Sequence, residues 1–328
     1  MSPLATGDTS WPKRGYRQRV GPPSPPRDDV SSRAMSPTLI DLATWRREGA
    51  MIDTLDGSVF VHDTPGPDGA TPLVILHGFP TSSHDFAAVI PALAEGRRVV
   101  AFDFLGFGYS AKPAGFSYSL VEQCDVTLAV LRALGVGEFH LWAHDMGTSV
   151  ATELLARRER GLLSPTVRSL ALMNGSVHVE LAHPTLGQHV LRSPLGPLFA
   201  RLNTRKTFVA QMRAIMAKPP SPDDLDAMWE LVSRDDGALR LPAIIGYIAE
   251  RKRFWHRWIG ALTRLDLPTL VAWGLRDPVA VPAIAEQLAR EIPGARLVTW
   301  ADLGHYPQVE DPARVAAVVG EFLREVEG

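Results

Sequence analysis

Three residues, Asp145, Asp277 and His305, have the types and the chain order of a nucleophile, an acid and a base. Two small residues, Ala143 and Gly147, flank Asp145 at a distance of two positions. Such spacing is typical of a sharp strand-to-helix turn, in which crowded backbones leave room only for small neighbours. A carboxylate in this place is suited to displacement at an sp³ carbon, which forms an ester with the enzyme. A histidine oriented by an acid can then activate the water that hydrolyses this ester.

The stretch His77-Gly78-Phe79-Pro80 predicts a site for a developing negative charge. Gly78 permits a tight turn after an apolar run, so that the backbone N–H of Phe79 can point at an oxyanion, with the N–H of Met146 as the second donor. A fourth turn, Asp103–Ser110, follows the next apolar run. Open α/β sheets place their ligand sites at such strand ends.

Each of these residues also has a structural interpretation. Asp145 could cap a helix, and Asp277 could belong to a turn before a proline. His305 could be a hydrogen-bonded surface histidine. The glycines Gly106 and Gly108 could suggest a phosphate loop, but no third glycine opens a helix there, so a structural turn is the better interpretation. Four turns of the right type in the right order favour the catalytic interpretation over coincidence.

The elements that must position these residues follow from the apolar pattern. The segments on either side of Asp56-Gly57 predict a hairpin. Runs of four to six apolar residues predict strands buried on both faces of a parallel sheet: Leu73–Leu76, Val99–Phe102, Phe139–Ala143, Leu170–Met173, Leu270–Trp273 and Leu297–Trp300. Amphipathic segments between them predict helices: Phe86–Leu93, Leu120–Leu134, Thr148–Arg160, Val281–Glu291 and Pro312–Val326. The prediction is an α/β fold with a mostly parallel, doubly wound sheet.

One interval interrupts this alternation, because no buried strand is predicted between Met173 and Thr269. A structureless loop of that length is improbable in a compact domain. Ser221 followed by Pro222 is instead typical of a helix start. We therefore expect a helical cap, or lid, at residues 176–263, inserted into a core formed by residues 37–175 and 264–328.

The composition limits the remaining possibilities. Residues 1–36 are rich in Pro, Ser, Gly and Arg and are predicted to be disordered, unless translation begins at Met35. The net charge of −2 offers no basic footprint for nucleic acid. No apolar stretch reaches the ~20 residues of a membrane span, and no secretory signal is recognised, so a cytoplasmic location is expected. The single cysteine, Cys124, excludes an internal disulfide.

The sequence resembles the α/β-hydrolase superfamily, and within it the epoxide hydrolase and haloalkane dehalogenase branch, whose nucleophile is an aspartate. The stretches that carry this resemblance extend over about Ala50 to Phe322: His77–Pro80, Asp103–Ser110, His144–Gly147, Asp277–Pro278 and Gly304–His305. Four stretches are most similar to the mesoderm-specific transcript protein group: His77–Ser83, Phe102–Tyr109, Tyr247–Leu262 and His305–Pro312.

The resemblance implies a hydrolase that forms a covalent ester on Asp145 and acts on a small apolar substrate, with an epoxide favoured. Epoxide hydrolases use lid tyrosines to donate to the epoxide oxygen. Tyr247, thirty residues before Asp277, lies where one of these is expected. A packed core tyrosine is the alternative for Tyr247. The second tyrosine, early in the lid, is missing, and the nearby donors are His178, His183 and His189.

Two other functions remain open. Dehalogenases of this branch have Trp after the nucleophile or Asn at the position of Phe79, whereas this chain has Met146 and Phe79. A hydrolase-fold protein that binds a ligand without turnover is the third possibility. The spacing of the three lid histidines fits no metal site, and the proposed reaction requires neither a metal nor a cofactor. The expected partner is a small-molecule substrate, and the sequence leaves the oligomeric state open.

Overall fold

The computed structural model describes residues 39–218 and 220–328. The disorder and the alternative start predicted within residues 1–36 lie outside this part. The strands are β1 (Ala50–Asp53), β2 (Ser58–Thr64), β3 (Leu73–Leu76), β4 (Val99–Phe102), β5 (Glu138–His144), β6 (Thr166–Met173), β7 (Thr269–Gly274) and β8 (Arg296–Trp300). The helices are α1 (Leu42–Glu48), α2 (Ile90–Ala94), α3 (Leu120–Ala133), α4 (Met146–Glu159), α5 (Leu186–Leu191), α6 (Gly196–Leu202), α7 (Arg205–Ile215), α8 (Pro222–Ser233), α9 (Leu241–Ile244), α10 (Tyr247–Arg253), α11 (Trp255–Thr263), α12 (Pro282–Glu291), α13 (Pro307–Glu310) and α14 (Pro312–Glu327), with 3-10 helices at Ser83–Phe86 and Arg234–Arg240.

The eight strands form one sheet in the order β1-β2-β4-β3-β5-β6-β7-β8. The β1–β2 hairpin is antiparallel, β2 is antiparallel to β4, and the strands from β4 to β8 are parallel. Every residue of β3, β4 and β7 is buried, because helices cover both faces. The predicted runs Leu73–Leu76 and Val99–Phe102 coincide with β3 and β4. The predicted α/β-hydrolase fold, with a mostly parallel, doubly wound sheet, is confirmed.

Two helices differ from the prediction by more than one residue at a boundary. The segment Phe86–Leu93 is not one helix: a 3-10 helix capped by Ser82 precedes the short α2. Pro91 explains this break, since proline lacks an amide hydrogen and is favoured in the first turn of a new helix. The helix predicted from Thr148 begins two residues earlier, at Met146.

Between β6 and β7 the described chain forms α5 to α11 and the second 3-10 helix. Its last helix, α11, packs against α4 of the core around Glu153. Arg257 donates two hydrogen bonds to this buried carboxylate, at 2.6 and 2.8 Å, and Trp258 Nε1 donates a third at 2.9 Å. Burial favours a higher pKa for Glu153, but these hydrogen bonds outweigh it and lower the pKa. The charged Glu153 therefore holds the end of the helical interval on the sheet domain. No described helix is long and apolar enough to cross a membrane.

Candidate active site

Asp145 follows β5 directly and has a backbone conformation that few residues adopt, with φ 42° and ψ −112°. Two glycines make this turn possible. A Cβ at Gly147 would lie 2.4 Å from the carbonyl oxygen of Leu76, and a Cβ at Gly78 would lie 2.7 Å from Cβ of Asp145. Strain of this kind persists where the surrounding structure enforces it, and it concentrates at functional sites. The small residues flanking Asp145 thus permit close contact between β3, β5 and α4.

The carboxylate of Asp145 is buried and does not cap the helix that follows. The residue occupies the N-cap position of α4, but its side chain makes no hydrogen bond to that helix. Its Oδ2 instead accepts a hydrogen bond from the backbone N–H of Phe79, at 2.8 Å. Met146 opens α4, where amides have no intrahelical acceptor. The turn after β3 and the start of α4 therefore meet at one carboxylate.

His305 and Asp277 form a hydrogen-bonded pair beyond β7 and β8. Nδ1–H of His305 donates to Oδ2 of Asp277, at 2.6 Å. Asn174 Nδ2 donates to the same oxygen at 2.8 Å, and the amides of Val279 and Ala280 donate to Oδ1 at 2.7 and 2.9 Å. Four donors thus fix the orientation of the Asp277 carboxylate. Asp277 thus accepts the hydrogen bonds of a turn, from Val279 and Ala280, and the hydrogen bond from His305 at the same time.

The electrostatic surroundings of His305 favour its cation. Burial alone would lower the pKa of His305, but the charge and hydrogen bond of Asp277 outweigh it, the charge of Asp145 adds to them, and the pKa is raised to about 9. The ring is therefore protonated at neutral pH as long as Asp145 is ionised. Loss of the charge on Asp145 would lower this pKa and bring the histidine closer to the neutral form that a general base requires.

A second histidine holds the predicted base, His305, in place. His144, the last residue of β5, lies with its Nε2 2.8 Å from the carbonyl oxygen of His305. Burial lowers the pKa of His144 to about 3, and the charge of His305 acts in the same direction. The ring is therefore neutral, and since the carbonyl can only accept, Nε2 carries the proton. His144 acts as a positioning residue that the sequence pattern did not single out.

Glu310 joins the loop of the base to the helical interval. Its Oε2 accepts hydrogen bonds from the amides of Ala217 and Lys218, both at 3.0 Å. The amide of His305 donates to the carbonyl oxygen of Ile215, at 2.9 Å. The residues after α7 and the loop after β8 thus form one hydrogen-bonded unit.

Two neighbouring cavities open beside these groups. The larger has a volume of about 510 Å³, is lined mainly by apolar side chains of the helices between β6 and β7, and reaches Phe79 and His305. The smaller, with a volume of about 10 Å³, is lined by Asp145, Tyr247 and Gln188, among others. Gln188 lines both cavities, so they adjoin. Tyr247 is buried, and its ring centre lies 5.8 Å from that of Phe79. The predicted lid tyrosine and the predicted nucleophile therefore border the same space.

Arg251 is the residue of this region that the sequence did not reveal. Its guanidinium is buried, with Nη2 3.2 Å from the backbone oxygen of Asp145 and 3.9 Å from Oδ1 of the carboxylate. Nε donates to Oγ of Ser149 at 2.8 Å, and the group lies 4.6 Å from the ring centre of Tyr247. Arg251 belongs to the basic run Arg251-Lys252-Arg253, of which the other two residues are exposed. The four-residue spacing from Tyr247 was the one available signal, since it places both side chains on one helix face.

The lid histidines do not supply the missing donor. Both nitrogens of His178 contact carboxylates, Glu180 at 2.7 Å and Glu291 at 2.8 Å, so the ring is already engaged. His183 and His189 are exposed. None of the three histidines lines the cavity beside Asp145. Gln188 of α5 lines this cavity instead.

The sheet, the strained turn at Asp145 and the Asp277–His305 pair define a hydrolase of α/β architecture. The chain belongs to the α/β-hydrolase fold family, whose model matches residues 71–312. A protein of Mycobacterium tuberculosis named as a hydrolase, LipZ, is 45% identical over 85% of this chain and 96% of its own length. The mesoderm-specific transcript homolog protein of Homo sapiens is 35% identical over 83% of this chain and 84% of its own.

A solved structure supports the fold. The haloalkane dehalogenase DbeA from Bradyrhizobium elkani USDA94 aligns with a TM-score of 0.72 and 24% identity, over 85% of this chain and 98% of that chain. The predicted membership of the α/β-hydrolase superfamily, and the likeness to mesoderm-specific transcript proteins, are confirmed. The protein is thus a hydrolase of this fold, and its chemistry has to be argued from the site.

Proposed function

We propose that this hydrolase uses Asp145 as a nucleophile and opens an epoxide on a small apolar substrate through a covalent ester. One observation carries this proposal: the two carboxylate oxygens of Asp145 have different surroundings. Oδ2 accepts the hydrogen bond from Phe79, whereas Oδ1 has no hydrogen-bond donor among the described residues. The residue borders a cavity together with Tyr247. An oxygen that is free to attack and a second that is held by an amide suit both steps of the reaction.

In the first step, Oδ1 of Asp145 attacks an epoxide carbon and the carbon–oxygen bond of the ring breaks. The epoxide oxygen then needs a proton or a strong hydrogen bond. Burial raises the pKa of Tyr247, and the negative charge of Asp145 raises it further, so the phenol remains protonated and can donate. The product of this step is an ester at Asp145 and a hydroxyl group on the neighbouring carbon.

In the second step, His305 takes a proton from water, which attacks Cγ of the Asp145 ester. Negative charge then develops on Oδ2, which the Phe79 amide stabilises, with the amide of Met146 as the proposed second donor. Asp277 stabilises the imidazolium that forms. The Cγ–Oδ1 bond breaks, the alcohol oxygen receives the proton from His305, and a diol leaves. The new carboxyl of Asp145 then loses its proton to His305, which replaces the proton that resting His305 passed to Tyr247 after the first step. The charge of Asp145 returns only at the end, so the base is most effective while the ester exists.

Single turnover in ¹⁸O-labelled water tests this mechanism. Because water attacks Cγ, label should enter the carboxylate of Asp145, and the first diol released should carry none of it. Styrene-oxide-like epoxides are suitable substrates. An unlabelled Asp145 after turnover would exclude the covalent route. Asp145→Ala should abolish turnover, whereas unchanged activity of this variant would refute a catalytic role and favour a binding protein.

Displacement of a halide is the second candidate, and Arg251 favours it. A buried guanidinium 3.9 Å from Oδ1 is a possible counter-ion for a departing halide. The two chemistries separate in one assay on short bromoalkanes and epoxides, with halide release and diol formation followed together. The epoxide proposal predicts diol without halide release, and the reverse result would favour dehalogenation.

A further inference from the structure

Helix α6 presents a row of leucines to solvent. Leu195, Leu198 and Leu202 are 64%, 55% and 67% exposed. Their spacing of three and four residues places them on one face of the helix, while Gly196 and Ala200 are buried on another. Scattered exposed leucines are ordinary, but an aligned row on a single short helix marks a surface that contacts something apolar.

The same part of the lid is strongly basic. Residues 181–222 contain six Lys or Arg and no Asp or Glu, although the whole chain has a net charge of −2. Four of the six are exposed and form no ion pair within the described residues: Arg192, Arg201, Lys206 and Arg213. At 100° per residue, Arg201 borders the leucine row of α6, and Lys206 and Arg213 share the exposed face of α7. The near-neutral overall charge conceals this local excess.

The leucines, the cations and the larger cavity occupy one region. Leu186 is 79% exposed and also lines the 510 Å³ cavity. Thr207 and Gln211 of α7 line it as well, close in sequence to the basic residues of that helix. Helices α5, α6 and α7, called here the front lid surface, therefore combine exposed leucine, unpaired positive charge and the wall of an apolar pocket.

We propose that the front lid surface docks on an anionic lipid bilayer. Leucine side chains gain free energy when they enter the boundary between headgroups and acyl chains, and nearby Lys and Arg gain from anionic lipid. The charge of this surface is complementary to such a bilayer, and residues 181–222 contain no carboxylate to repel it. Docking in this orientation would let an apolar substrate pass from the membrane into the cavity without crossing water. The bilayer would be a binding partner in addition to the substrate of the proposed reaction.

Vesicle flotation with the full chain tests the proposal without any substrate. Vesicles of phosphatidylcholine are compared with vesicles that contain about one third phosphatidylglycerol. The wild type should float with the anionic vesicles and remain behind with the neutral ones, and added salt should weaken the binding. Failure to bind the anionic vesicles would overturn the proposal.

Lid variants locate the surface. Arg201→Gln/Lys206→Gln/Arg213→Gln should weaken binding about 10²-fold, since each cation near an anionic bilayer contributes about fivefold. Leu198→Ser/Leu202→Ser should weaken it about tenfold. Neither variant alters a residue that lines the cavities, so the rate on a water-soluble substrate and the thermal midpoint should stay unchanged.

Controls exclude the other occupants. Arg132→Gln/Arg324→Gln removes exposed cations far from the lid in sequence and should leave vesicle binding intact. Equal losses in this control would mean that binding is not local to the lid and would overturn the proposal. Light scattering gives the oligomeric state. If the wild type were a dimer and the leucine variant a monomer, the surface would be an interface between two copies, and the proposal would be overturned. The proposal would also be overturned if the chain bound an acidic protein and did not bind the vesicles.

Discussion

Replacement of Asp277 by asparagine should separate the two steps of the proposed reaction. Asp277 is the strongest of the influences that raise the pKa of His305 from 6.5 to about 9. A pKa raised this far favours the imidazolium by about 3 kcal/mol. Loss of the carboxylate also removes the acceptor that fixes the Nδ1–H tautomer. We expect hydrolysis of the ester to slow by about 10³- to 10⁴-fold, with little change in its formation.

Rapid-quench mass spectrometry of the intact protein provides the assay. With Asp277→Asn the ester should accumulate as an added mass equal to the substrate, whereas the wild type should show it only transiently. Asp41→Asn is the matched control, because Asp41 is an acidic N-cap that accepts from Thr44 and lines neither cavity. Equal slowing of both steps, or the absence of any accumulated ester, would refute the roles assigned to Asp277 and His305.

Three further predictions follow from the buried groups. Tyr247→Phe should slow ester formation on epoxides by about 10²-fold and leave hydrolysis of a formed ester unchanged; an unaltered rate would make Tyr247 a packing residue. Burial raises the pKa of Asp85 to about 8. Folded Asp85 therefore holds a proton that the unfolded chain loses above about pH 4. Because of this difference, the free energy of unfolding should fall as the pH rises from about 4 to about 8. Asp85→Asn should flatten that part of the urea-unfolding profile by up to about 6 kcal/mol, and an unchanged slope would contradict the assignment. In the same assay, Glu153→Ala should lower the free energy of unfolding by about 3 kcal/mol, because it leaves Arg257 unpaired. A loss below about 1 kcal/mol would show that apolar packing alone holds α11.

Most of the sheet was predictable because its strands are buried on both faces. Such strands have to be uninterrupted apolar runs, and the ends of Leu73–Leu76 and Val99–Phe102 were found to the residue. The turns after them were equally visible, since Gly78 and Gly147 are required by close backbone contact rather than by distant packing. Local sequence contains the information for such features.

The lid was less predictable because its helix faces are chosen by tertiary contacts. Arg251, Lys252 and Arg253 are adjacent cations, and only docking against Ser149 and Asp145 decides that the first is buried while the next two are exposed. The exposed leucines of α6 were hidden for the opposite reason, since an apolar side chain in sequence suggests a core. Burial of a charge and exposure of leucine both depend on the partner surface, which a single sequence does not contain.

The hydrogen bonds of Glu310 join the loop of His305, the proposed base, to the residues that follow α7, so the two segments form one mechanical unit. A ligand that stabilises one position of residues 215–218 must also stabilise one position of the His305 loop. The coupling free energy is the same whether the ligand acts on residues 215–218 or on the His305 loop. A membrane that held the front of the lid would then act on the rate of ester hydrolysis from a distance. Conversely, an enzyme paused at the ester stage would differ from the resting enzyme in its affinity for the bilayer.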